Sequence, residues 1–330
     1  MDIEFHYYIT CIIALRAGFP VEDALIISHA SQYVDDNTDI FELDQGKAEA
    51  YSNYISQTSN ITKPEKELMR IYPIFHFMPG TKAEIECEST MRRDGKFHVL
   101  NTVPDNSNAF SALKAAFESK NLYRIGIASH MFADTFAHQN FVGYYESFNS
   151  MKGLLEKTIP DVGHADAKHE PDWPAHVWTD KRLVSRNTEI DNRERFLIAA
   201  GRLFEEYRNY LNQAPDAKTV KADRESLVAE INKAIGDCDK DNRECKNRIA
   251  RYKKAIGEGA KDYDENIWFK SAAEKNGILP AFLPWTTYTW KADFQESHWY
   301  KFQEAIKAHQ WFVQDNILGP ITKDLELERL

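Results

Sequence analysis

The sequence predicts an all-α protein, a multi-helix, bundle-like domain with an inserted charged helical hairpin, and three observations predict it. Segment after segment carries apolar residues at helical spacing. Strand signals are almost absent, and no repeat is visible. The stretch Ser129 to Asn140 puts His130, Asp134 and His138 four residues apart among Ile125, Ile127, Ala128, Met131, Phe132, Phe136 and Phe141, so a mostly buried helix presents all three on one face.

The elements follow in order. Residues 4–18 read as a helix ending at Gly18, and a second helix opens at Pro20 with Glu22 and Asp23 in its first turn and runs to about Val34. From Asp35 the chain turns polar. The aromatic patch from Tyr72 to Gly80 is bracketed by prolines and is expected to be extended or loop-like. Helices are expected over 107–120, 121–143 and 190–212. Between them, Val162 to Trp178 carries prolines and a glycine too closely spaced for a long helix, and three histidines. The charged stretch 213–262 has sparse aliphatics and reads as a helical hairpin standing partly in solvent. The remaining segment holds Trp285, Trp290, Trp299 and Trp311, with a helix over 295–317 packing back on the core. The expected division is 1–212, the insertion 213–262, and 263–330 on the same core as the first part.

A chain of 330 residues with 43% hydrophobic and 12% aromatic content supplies an ample core. The net charge of −10 and pI near 5.6 argue against a footprint for duplex nucleic acid. The four cysteines, Cys11, Cys87, Cys238 and Cys245, form no CxxC pair and read as free thiols. The apolar run Tyr7 to Leu15 follows Asp2 and Glu4 and contains no lysine, so it does not read as a signal peptide, and no apolar segment is long enough to span a membrane. The expectation is a cytoplasmic protein.

Nine of the 11 histidines fall within the first 176 residues. His130 and His138 stand about 12 Å apart along a helix, beyond the roughly 4 Å that two ligands of one ion span. The carboxylate between them has two oxygens, so the spacing suggests a multinuclear metal site with Asp134 as a bridge. His6, Asp35, Asp36, His76, His164, Asp166 and His169 join the inventory, with Asp172 interleaved. Taken alone, His6 and the two adjacent acids read as ordinary structural residues, and only their conjunction with the helix triplet argues for ligation. His298 and His309 in the aromatic tail read as packing or surface residues. The donors are nitrogen and oxygen with no thiolate, which suits zinc, two to three ions, better than manganese or iron.

The order of these residues resembles the three-zinc superfamily of bacterial zinc-dependent phospholipase C and the single-strand-specific nucleases of fungi and plants. Those all-α enzymes carry an early His, an Asp, a His, a His-x3-Asp helix with a later His, and a final His paired with an acid. The resemblance implies one zinc on Asp35 or Asp36, His76, His130 and Asp134, and a second on His138 with His164 and His169 or Asp166. It implies a third shared by His6 and Asp134. The chain is also similar to an uncharacterised bacterial family with the patterns His6-Tyr7-Tyr8 and Ser31 to Asn37. Three departures stand out. The enzymes begin with a tryptophan whose amino group and carbonyl bind the third zinc, whereas this chain begins Met1-Asp2. Lys168 stands where the final pair has its acid, which leaves Asp166, His169 or Asp172 as the partner of His164. Residues 213–262 have no counterpart, so the likeness covers roughly 1–180.

The resemblance implies a zinc-dependent phosphoesterase acting on a phosphodiester, a phospholipid head group or a nucleotide, with Asp35 or Asp36, whichever is not a ligand, orienting or deprotonating the attacking water. The alternatives are an HD-type phosphohydrolase, against which the absence of an adjacent His-Asp dipeptide counts, and a non-catalytic, metal-stabilised protein that binds a protein partner through 213–262.

Overall fold

In the computed structural model, which describes residues 1–44, 47–48, 50–59, 65–151, 162–212, 216–276 and 287–324, the N-terminal apolar run starts as a π-helical segment, Glu4–Ile9, and continues as α1 (Thr10–Ala17). Gly18 ends it at φ 113°, a left-handed cap that glycine adopts without strain. Pro20 then caps α2 (Val21–Asp36), whose first turn holds Glu22 and Asp23, and Asp35 and Asp36 belong to its last turn.

α3 (Glu65–Phe75) runs through Pro73, so the first part of the Tyr72–Gly80 patch is helical where an extended segment was expected. Ile71, Ile74 and Phe75 are completely buried there, and that packing outweighs the lost proline donor. α4 (Lys82–Ser89) opens with a capping box between Thr81 and Glu84. α5 (Ser107–Ser119) and α6 (Leu122–Ala137) are capped by the side chains of Asn106 and Asn121. α6 stops at His138, short of position 143. The 162–178 segment holds a 3-10 turn, Ala165–Ala167. It is followed by α7 (Asn192–Tyr210), α8 (Ala217–Ile235), α9 (Cys245–Ile256), α10 (Ile267–Ala272), α11 (His298–Val313) and α12 (Gly319–Asp324).

The architecture is mainly α, with a small strand content that the sequence did not announce. β1 (Glu42–Leu43), β2 (Tyr51–Ser52), β5 (Ala273–Lys275) and β6 (Tyr288–Trp290) form a sheet ordered β2-β1-β6-β5, in which β1 and β6 run parallel. β3 (Val177–Thr179) and β4 (Glu189–Asp191) make an antiparallel pair. These strands are two or three residues long, too short for alternation to register. Trp285 lies outside the described residues.

α6 sits in the middle, packed on α2, α3, α5, α7 and α11. Its contact with α2 is made possible by Gly126: a Cβ there would stand 2.4 Å from the carbonyl oxygen of Ile27 and 2.7 Å from the Ala30 Cβ. One helical turn further along α6 comes His130. The close approach therefore sets the distance between the ligand-bearing faces of the two helices.

Within the 213–262 stretch α8 and α9 form a helical pair as expected, and one face of the pair is buried. Leu227, Ile231, Ala234, Ile235 and Tyr252 are buried in the same hydrophobic cluster as α1, α2 and α6. Arg248, fully buried, forms a two-pronged ion pair with the equally buried Glu4, at 2.8 Å for each contact, and reaches Asp239 at 2.7 Å. Asp239 also donates its backbone N–H to Ala175 in the histidine-bearing segment. The few aliphatics lie at helical spacing on the inner face, so sparseness by count concealed a complete stripe.

Removing one partner of a buried ion pair leaves the other charge desolvated. Arg248→Ala is expected to lower unfolding free energy by about 3–5 kcal/mol, and deletion of 217–256 to give a chain that does not fold. Urea denaturation tests the first and circular dichroism the second; a folded deletion protein would show that the hairpin is dispensable to the core.

Candidate metal centre

The ligand candidates come from separate elements. His6 lies in the π-helical segment, Asp35 at the end of α2, His76 just past α3, His130 and Asp134 on α6, and His138 at its C-cap. His164 and Asp172 come from the 162–178 segment. They meet in three groups whose donor atoms lie within 4.8 Å of one another: Asp35, His76 and His130; His6, His130 and Asp134; and His138, His164 and Asp172.

Hydrogen bonds to backbone carbonyls orient four of the rings. A carbonyl oxygen only accepts, so the ring nitrogen facing it carries the proton and the other nitrogen holds a lone pair. His130 donates from Nδ1 to Ser31 at 2.8 Å, and His76 from Nε2 to Ser56 at 2.9 Å. His138 donates from Nδ1 to the His76 carbonyl at 2.8 Å, and His164 from Nδ1 to Lys168 at 2.8 Å. Such anchors fix tautomer and direction around a metal. In the neutral rings they leave His130 Nε2 and His76 Nδ1 as lone-pair nitrogens that face each other at 3.0 Å.

Two carboxylates close around that meeting point. Asp134 Oδ2 lies 3.3 Å from His76 Nδ1 and 3.2 Å from His130 Nε2. Asp35 Oδ1 lies 3.7 Å from each of the same nitrogens. A tetrahedron of ligands about 2.0–2.1 Å from a zinc ion has edges of about 3.3–3.4 Å, close to these spacings. Four acceptors at such distances repel one another unless a metal ion or protons lie among them.

The other oxygen of Asp134 faces elsewhere. Oδ1 lies 3.2 Å from His6 Nε2, and neither ring nitrogen of the fully buried His6 makes a hydrogen bond. The α-amino group of Met1 rests against the same oxygen and lies 3.4 Å from Asp172 Oδ1. A third group is completed by His138 Nε2, 3.4 Å from Asp172 Oδ1, and His164 Nε2, 3.5 Å from Asp172 Oδ2. The ring of Phe77 stacks on His138 with centroids 4.4 Å apart and forms the wall behind this group.

Burial and charge act together on these side chains. Burial pushes the Asp134 carboxyl up, but its neighbours His138, the Met1 amino group, His130 and His6 outweigh it and hold the group well below the usual carboxylate range. Asp172 is lowered too, burial being overcome by His164, the amino group and His138. Asp35 is pushed up to about 7 by burial, with Asp134 adding to it against the opposing effect of His76. Burial drives His6 well below its ordinary value and His130 down to about 4, so both rings stay neutral donors. For His76 burial is overcome by the hydrogen bond to Asp134 and the charge of Asp35, and its value rises.

Three expected ligands fall elsewhere. Asp36, next to Asp35, points away: its Oδ2 accepts from Tyr263 at 2.7 Å and from Gln32 at 3.0 Å. Neighbouring helix positions diverge by about 100°, so α2 aims only one of the two acids at the rings. Asp166 accepts from the backbone N–H of Met151 at 2.7 Å, so it braces the loop and Asp172 takes its place beside His164. His169 is exposed and stacks on Trp173, with centroids 5.6 Å apart. His298 and His309 belong to α11, where they stack on Trp268 and Phe75. Ser31, Ser56 and Lys168 act through backbone carbonyls, for which side-chain identity gives no signal.

The groups open onto a cavity of about 480 Å³ that is also lined by Asp2, Gln32, Tyr72, Phe77, Lys168 and His169. Asp172→Asn and His164→Ala are expected each to lower bound metal by about one equivalent, whereas Asp166→Asn and Asp36→Asn leave it unchanged. Elemental analysis of the four proteins checks this. Equal losses in Asp166→Asn and Asp172→Asn would mean that the third group is assigned wrongly.

Among the described residues no helix is long and apolar enough to cross a membrane. No curated protein and no solved structure matches the chain. One family profile matches residues 1–317, nearly the whole sequence, and the chain belongs to that family, the DUF6765 family of unknown function.

Proposed function

We propose that the chain is a zinc-dependent phosphoesterase that hydrolyses a phosphodiester, in the manner of the phospholipase C and nuclease superfamily that its ligand order resembles. The observation that carries this reading is the meeting of His76 Nδ1 and His130 Nε2, lone pair to lone pair at 3.0 Å between two carboxylates. Asp35, His76, His130 and Asp134 would hold one ion. His138, His164 and Asp172 would hold a second, and His6 with Asp134 Oδ1 a third. The donor set contains imidazole and carboxylate alone, which suits zinc.

When bound, such ions supply charge for gripping a phosphate, a water acidified to near neutrality and stabilisation of the leaving oxygen. The chain's own residues do the positioning. Asp35 is the ligand carboxylate that stays a quarter exposed to the cavity, so it is placed to orient the attacking water and accept its proton. Asp36, committed to Tyr263 and Gln32, is relieved of the water-activating role the sequence offered it. Tyr72 and Phe77 give the cavity apolar walls, and its volume fits a head group or one or two nucleotides, not a duplex.

An HD-type hydrolase is disfavoured by the chain positions of the ligands. A purely structural metal site is disfavoured because such sites are closed, whereas this one opens onto a cavity.

Hydrolysis of bis-p-nitrophenyl phosphate by the purified protein is the test. Turnover is expected to disappear on chelation, to return with zinc, and to fall by about 100-fold or more in Asp134→Asn. A fully zinc-loaded protein with no turnover of this diester or of phospholipid and nucleotide diesters would contradict the reading.

A further inference from the structure

His164 presents Nε2 to Asp172 because its Nδ1–H is held by the carbonyl of Lys168, 2.8 Å away. That carbonyl turns back toward the ring because Lys168, just past the 3-10 turn, adopts φ 55° and ψ −129°. Glycine takes up this conformation freely, whereas any residue with a Cβ is strained by about 1–3 kcal/mol. The backbone at this position therefore suits glycine, so a lysine here directs attention to what its side chain does.

The surroundings indicate what that is. Lys168 is exposed and lines the cavity, where it is the one lysine or arginine among the described residues. Asp2, Asp35, Asp134 and Asp172 line the same cavity, yet Lys168 forms no ion pair with any of them within 4.0 Å. An exposed lysine at the rim of an acid-lined cavity that pairs with none of those carboxylates is free to meet an anion brought in from outside. His169, held flat against Trp173, adds a second nitrogen base to the same rim.

We propose that Lys168 is a substrate-binding residue that pairs with a second negative charge, and that the site therefore selects phosphodiesters carrying a further anionic group close to the scissile phosphate. This rests on the phosphoesterase reading for the word substrate, but its test does not require turnover.

The test is calorimetric binding of inorganic phosphate, which carries two charges near neutrality, and of dimethyl phosphate, which carries one, to the zinc-loaded wild type, Lys168→Gly and Lys168→Arg. In Lys168→Gly the zinc content is expected to be unchanged and the melting temperature equal or higher, since the strain is relieved. Phosphate affinity is expected to fall by about tenfold and dimethyl phosphate affinity by less than about threefold, with Lys168→Arg retaining most of the preference. Equal effects on both ligands, or none on either, would overturn the proposal. So would loss of zinc in Lys168→Gly, which would make the residue part of the metal scaffold. Absence of diester hydrolysis with the charge preference intact would instead count against the proposed reaction.

Discussion

Helices α2 and α6 touch where Gly126 leaves room for the backbone of Ile27 and Ala30, and the spacing of the cluster depends on that contact. At this separation the carbonyl of Ser31 reaches the His130 ring, and Asp35, one turn along α2, comes to 3.7 Å from His130 Nε2. A larger residue at 126 would force the two helices apart by more than a hydrogen bond tolerates. Main-chain packing thus fixes both which nitrogen of His130 is protonated and where its lone pair points.

Given that contact, Asp134 becomes the electrostatic centre. A carboxylate fully removed from water is sustained only by compensating charge. Here one oxygen faces His76 and His130 and the other faces His6 and the Met1 amino group. The two oxygens therefore belong to different groups, which is what a bridging role requires. His138, one turn on, serves neither of these: its free nitrogen faces Asp172, so Asp134 stands between the His76–His130 group and the His6 group while the His138–His164–Asp172 group lies beside them. The buried pair Glu4–Arg248 and the hydrogen bond from Asp239 to Ala175 tie the hairpin to the two segments that supply His6 and Asp172.

Much of this was legible because it follows from periodicity. Four-residue spacing on an apolar helix implies a shared face, and the roughly 12 Å between His130 and His138 implies that they belong to different groups, as they do. What periodicity does not encode was lost. The choice of Asp35 over Asp36 turns on the angle at which α2 meets its neighbours, and the choice of Asp172 over Asp166 and His169 turns on a 3-10 turn inside a proline-rich loop. Pro73 lies in a helix because its neighbours are buried, a tertiary effect. The buried stripe of the α8–α9 pair was hidden because a few well-placed apolar residues count for more than composition, and nothing in the sequence sets the close approach at Gly126 apart.

Whether these side chains form one multinuclear centre is decided by zinc stoichiometry. Elemental analysis after reconstitution and removal of excess metal is predicted to give two to three equivalents per chain, released together with a loss of thermal stability when a strong chelator is added. Less than one equivalent, or a melting temperature indifferent to chelation, would show that the facing lone pairs of His76 and His130 are reconciled by protons and not by a metal.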